Sequence, residues 1–160
     1  MSPRAAFCRK VWTDMVALYG APGVGDLCLA LQDAFDADVP LLLFLVLADA
    51  AGEGLDAAGR ATLHAAAADW RALAVVPLRG LRRALKGRTT SPAEEAFRRM
   101  VKAAELEAER IEVERLAAIF GPLSGPVGLA APYLADLGAP TARAEAALVD
   151  LRRAAAPRPA

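Results

Sequence analysis

A chain of 160 residues, 56% of them hydrophobic, is about one domain long and can bury a core without disulfide or metal staples. Its 19 Lys and Arg balance 19 Asp and Glu, so no global field draws it onto nucleic acid or a membrane, and any electrostatic function is local. Cys8 and Cys28, in no C-x-x-C arrangement and each on an apolar helical stripe, read as reduced core residues and exclude a disulfide scaffold.

The opening Met-Ser-Pro-Arg-Ala-Ala-Phe has no apolar h-region and predicts no secretory signal. The apolar run Leu41–Ala48 is far shorter than the roughly 20 residues that span a bilayer, and the expected location is the cytoplasm. From Arg4 to Tyr19, Phe7, Val11, Trp12, Met15 and Leu18 recur at threes and fours, which predicts a first amphipathic helix. Gly20–Gly25 breaks it; with Asp26 following and no Gly-Lys-Ser/Thr, the glycines form a helix–helix turn, not a phosphate loop. A second helix carries Val24, Leu27, Cys28, Leu31 and Phe35 inward. Asp38-Val-Pro then opens a third, Leu41–Ala48, apolar on all sides and so the buried centre of a bundle.

Asp56 caps a fourth helix whose core stripe is Leu63, Ala66, Ala67, Trp70, Leu73, Ala74 and Pro77. Arg60, His64 and Arg71 share the opposite, solvated face. His64 is the only histidine, which argues against a His-based metal site, and no metal or cofactor is expected. Pro77 breaks or kinks this helix. It begins a short one with Leu78, Leu81 and Leu85 on one face and Arg79, Arg82, Arg83 and Lys86 on the other; Gly87 stops it. Ser91-Pro92-Ala93-Glu94 is a capping-box start for a long helix running to about Phe120 and folding back antiparallel. On it, Phe97, Val101, Ala104, Ala108 and Ile111 form a core stripe, and Leu106, Val113 and Phe120 a second, available for self-association. Residues 121–160 turn Gly/Pro-rich, carry a short apolar piece around Tyr133 and a last helix capped by Thr141, and end in a frayed Pro157–Ala160. The expected architecture is an all-α compact bundle of about five to six helices with a long antiparallel hairpin. Residues 1–120 form its core, and 121–160 a linker and appendage.

The ordered succession Tyr19…Pro22-Gly23-Val24, Cys28–Asp33, Val39…Leu41–Phe44, Trp70-Arg71, Pro77-Leu78-Arg79…Leu81-Arg82-Arg83…Lys86 and Lys102–Arg110 resembles a proteobacterial family of small uncharacterised cytosolic proteins, catalogued as a domain of unknown function. The resemblance covers roughly Phe7 to Leu116. The family pattern carries a polar residue at the place of Pro40 and a Trp near Leu47, so the third helix departs from it. The resemblance implies a domain ending near Phe120, with no reaction and no ligand.

Charge is uneven along the hairpin. From Arg79 to Lys102 eight basic residues face Glu94 and Glu95, and from Ala103 to Glu114 five glutamates face Arg110 alone. Antiparallel pairing about Arg88–Thr90 sets Arg79 beside Arg99 and Lys102, leaving the tip positive, and brings Glu105 and Glu109 level with Arg71. The plainer reading of Arg79, Arg82, Arg83, Lys86, Arg98, Arg99 and Lys102 is a solvated face. The functional one is a contact surface for RNA or an acidic protein partner. No aromatic interleaves the tip, which disfavours single-stranded RNA. Glu105, Glu109 and Glu112 share a stripe but lack the Glu-x-x-His partners of a bundle metal site, so charge pairing is expected. No serine sits in a nucleophile elbow, and no enzyme signature stands out. The functional reading is an interaction or regulatory module acting through the basic tip. Its alternative is a small-molecule or cryptic catalytic pocket near Gln32, Trp70 and Arg71.

Overall fold

In the computed structural model, which describes residues 1–156, helices begin where the capping chemistry puts them. Ser2 opens α1 (Pro3–Tyr19) by accepting from the Ala5 N–H at 3.2 Å. Gly23, in the left-handed region at φ 80°, turns the chain into α2 (Val24–Phe35). Asp38 opens α3 (Val39–Ala50), and Asp56 opens α4 (Ala57–Trp70) by accepting from the Gly59 N–H at 2.7 Å. The chain continues through a π-helical segment, Arg71–Val75, into α5 (Val76–Leu85). Ser91 and Glu94 form the predicted capping box at the head of α6 (Pro92–Phe120); α7 (Ala130–Asp136) and α8 (Thr141–Ala155) follow. No strand occurs among the described residues. Thr141 is the first residue of α8, not its cap, a position held by Pro140. The tail Pro157–Ala160, expected to fray, lies outside the described residues.

Pro77 does not end the fourth helix. A proline ring clashes with the carbonyl four residues back. Here the preceding turn widens, and the Val76 N–H reaches the Arg71 carbonyl in a five-residue step. This step rotates everything downstream about the helix axis. Leu73, expected inside, is 70% exposed, and Val75 takes the buried place.

α3 is buried on every face from Pro40 to Val46, as its all-apolar composition requires, and packs against α1, α6, α7 and α8. Phe7, Phe44 and Phe120 meet around it with ring centroids 5.3–5.5 Å apart, two of the three pairs edge-on. A buried side chain of this size contributes about 1.5–3 kcal/mol. The segment after residue 120, expected as an appendage, contributes Leu129, Ala130, Leu134, Leu148 and Leu151 to the same core. It is also pinned by polar contacts. Asp49 accepts from the Gly128, Leu129 and Ala130 N–H groups at 2.7–3.0 Å, capping α7 from across the molecule. The Leu55 N–H donates to the Pro126 carbonyl at 3.1 Å, an approach possible because Gly54 and Gly125 carry no Cβ, which would come within 2.0 Å of facing backbone. Arg4 joins three elements at once: it pairs with Glu53 at 2.7 Å and donates to the Gly54, Phe120 and Leu123 carbonyls.

Val113 and Phe120, expected on a seam open to a second copy, are buried in this core; of that stripe only Leu106 is exposed. The hairpin behaves differently. α5 buries no residue and packs chiefly on α6, while Leu81, Phe97 and Met100 are 42, 50 and 68% exposed. Phe97, expected in the core stripe, falls outside because the first turns of α6 run beyond the bundle. No single helix among the described residues is long and apolar enough to cross a membrane.

Candidate functional site

Side chains on a helix lean toward its N-terminus. In an antiparallel hairpin, α5 arginines therefore lean away from the turn and α6 glutamates lean toward it, so they meet across an offset of several residues. Arg79 Nε reaches Glu105 Oε1 at 3.1 Å and Arg79 Nη2 reaches Glu109 Oε1 at 3.0 Å, while Arg82 holds Glu105 from the other side. Arg79 is thus turned inward and neutralised, not placed beside Arg99 and Lys102 as the residue count about the turn implied. Arg71, expected to bridge to Glu105 and Glu109, instead grips Asp36 with two hydrogen bonds of 2.8 and 3.3 Å. Burial pushes the Glu105 carboxyl up, but hydrogen bonds from Arg82 and Arg79 outweigh it and hold it below the ordinary range. At Glu109 burial prevails over Arg79, and its carboxyl is raised.

Deeper in, where α3, α4, α6 and α7 converge, lies a pair of buried carboxyls. Glu112 is fully buried and Asp38 is 6% exposed. Burial first, then the charge of neighbouring Asp38, push the Glu112 carboxyl up to about 10, so it is protonated at neutral pH. Burial also raises Asp38, against the pull of the Arg71 charge. The Asp38 N–H donates to Tyr133 Oη at 2.8 Å, and His64 packs edge-on against Tyr133 with centroids 5.4 Å apart. His64 is therefore half-buried, not solvated, and burial lowers its pKa. Asp38 Oδ2, both Glu112 carboxyl oxygens and His64 Nε2 are buried without a hydrogen-bond partner among the described residues. No group of three His, Cys, Asp or Glu among those residues is placed to hold a metal ion.

Beside this cluster a groove of about 660 Å³ opens between the end of α2 and α5. Gln32, Asp33, Asp36, Arg71, Arg79 and Arg83 line its polar side, and Phe35, Val76 and Leu137 its apolar side. Two of the three residues expected near a pocket, Gln32 and Arg71, are there. Trp70 is not: its indole N–H donates to the Ala108 carbonyl at 2.8 Å, and the Arg115 guanidinium lies over its ring. Asp36 is the only non-glycine described with positive φ, at 54°, and it ends α2 while facing Arg71. Sequence reasoning missed Asp36, Asp38 and Tyr133. The Asp38 cap was the one signal available.

Of the expected tip cations, Arg98 pairs with Glu95 at 3.4 Å and Arg83 comes only within 4.0 Å of Asp33. Lys86, Arg99 and Lys102 are exposed and form no ion pair with a described residue, nor does neighbouring Arg88. No curated protein and no solved structure matches the chain. Residues 10–116, which hold the groove's polar wall, the Arg79–Glu105–Glu109 knot and both buried carboxyls, match the family described as a protein of unknown function (DUF2390), and the chain belongs to that family.

Proposed function

We propose that the protein is a helical interaction module whose docking surface is the outer part of the α5/α6 hairpin, and that its partner presents an acidic, amphipathic protein segment. The observation that carries this reading is an amphipathic helix, α5, that buries none of its residues. Leu81, Phe97 and Met100 stand exposed on the same hairpin as Lys86, Arg88, Arg99 and Lys102, whose charges no described carboxylate neutralises. Apolar side chains next to free cations suit a helix with acidic and apolar residues at threes and fours. A nucleic-acid phosphate surface answers the cations only, which favours protein over RNA.

The test is a selection of displayed helical peptides on the immobilised protein, with excess soluble Arg99→Glu/Lys102→Glu as competitor. Peptides that pair acidic with apolar residues are expected to survive, to bind more weakly as salt rises, and to lose binding to Phe97→Ser/Met100→Ser. Arg79 and Arg82 are left intact because they hold the hairpin together. Retention of a random RNA, with no peptide that separates wild type from the charge-reversed protein, would replace this reading with a nucleic-acid one.

A further inference from the structure

The groove between α2 and α5 brings three features together. The first is Gln32. It is the only carboxamide side chain in the 160 residues, is 9% exposed, lines the groove, and makes no side-chain hydrogen bond to another described residue. Its amide atoms are not sealed from solvent, so they open onto the groove, where a bound molecule can pair with them. The second is Gly80, which lies in the interior of α5, where glycine is unfavourable relative to alanine. A Cβ built there meets nothing within 4 Å, so no neighbour demands its absence, and the vacant space belongs to the groove. The third is Arg83, whose side chain is 56% exposed and whose nearest carboxylate, Asp33, is 4.0 Å away and 72% exposed.

We infer that this groove is a binding site for a small anion carrying an amide-type hydrogen-bonding edge. The edge pairs with the Gln32 carboxamide, the acidic group meets Arg83, and the body lies over Gly80 against Phe35, Val76 and Leu137. Charge sets the orientation. Arg79 is saturated by Glu105 and Glu109, and Arg71 is occupied by the exposed carboxylate of Asp36, which repels an acid at that end. Arg83 is the least engaged of the three, with only the 72% exposed groove carboxylate of Asp33 at 4.0 Å, and an arginine fork takes phosphate or carboxylate equally well. A carboxamide offers donor and acceptor side by side, matching the edge of a nucleobase or of a peptide amide.

Because the chain has a single carboxamide, its side-chain NH2 pair is a unique signal in ¹H–¹⁵N spectra of the full protein. Titration with nucleoside 5′-monophosphates and, separately, with N-acetylated amino acids distinguishes the two sources of this chemistry. Ribose 5-phosphate and acetate, which lack the edge, serve as controls. One arm is expected to shift the Gln32 pair saturably, with the controls at least about 10-fold weaker and Arg83→Glu weakening the binder by about 10-fold. Gly80→Leu fills the groove with a better helix former, so it is expected to keep its melting temperature or raise it, and to abolish the shifts. No saturable shift from either arm, or shifts that persist in a folded Gly80→Leu, would overturn the site.

Discussion

Glu112 keeps its proton at a pH where an ordinary glutamate, near 4.5, has lost it. The sign of the consequence follows from linkage. The folded state binds this proton between the ordinary value and about 10 and the unfolded state does not, so the Glu112 contribution falls as pH rises through that window. Asp38, also raised, acts in the same direction; His64, lowered by burial, acts in the opposite one. Glu112→Gln removes the titration and retains a donor. It is expected to gain about 2 kcal/mol over wild type at pH 8 and little at pH 5, read by urea unfolding at both values. Equal gains at the two values would show that the proton is not held. Arg4 is the other residue whose loss should be felt widely. Arg4→Ala leaves Glu53 and three carbonyls without their donor, for a cost of about 2–3 kcal/mol in the same assay. Capping residues such as Ser91 could be read locally from sequence. The state of Glu112 could not, because it is set first by burial and then by Asp38, which is remote in sequence and adjacent only after folding.

At the scale of elements, the π-helical turn explains most of what the sequence concealed. Periodicity ran unbroken through Pro77, but the widened turn moves Leu73 out and Val75 in, and with them the faces of α5. The Glu stripe of α6 was visible, and its pairing was expected. The partners were misassigned because residue counting ignores the opposite lean of arginine and glutamate in a hairpin. Glu105 holds both Arg79 and Arg82 in largely buried contacts. Glu105→Gln is expected to cost about 2 kcal/mol. Its carboxyl is lowered in the fold, so the wild-type advantage is present above the ordinary glutamate value and lost as pH falls below it. Thermal melts of the pair at pH 7 and pH 3 should converge at the lower value. On α5, Gly80→Ala is expected to stabilise by about 0.5–1 kcal/mol, since its Cβ meets open space.

For the whole molecule, the helical class and the central place of α3 were legible from a run of apolar residues with no polar face. The role of the last forty residues was not. Glycine and proline between Gly121 and Gly128 read as a linker, whereas Gly125 serves a backbone approach to Leu55 and Asp56 that only tertiary structure reveals. A chain ended at Gly121 loses α7 and α8 and uncovers α3. It is expected to lack a cooperative melt and to be cleaved by protease within α3, while the full chain unfolds in one step. A truncated chain with an unchanged melting transition would restore the boundary near residue 120.

α3 and its last cover, α8, are separated by about a hundred residues of translation. At about 5–20 residues per second, the most apolar helix of the protein leaves the ribosome some 5–20 s before Leu151 can close over it. The nascent chain therefore passes through a stage in which this helix lacks its final cover, and its yield in a cell should depend on translation speed and on holding chaperones as much as on the stability of the finished fold.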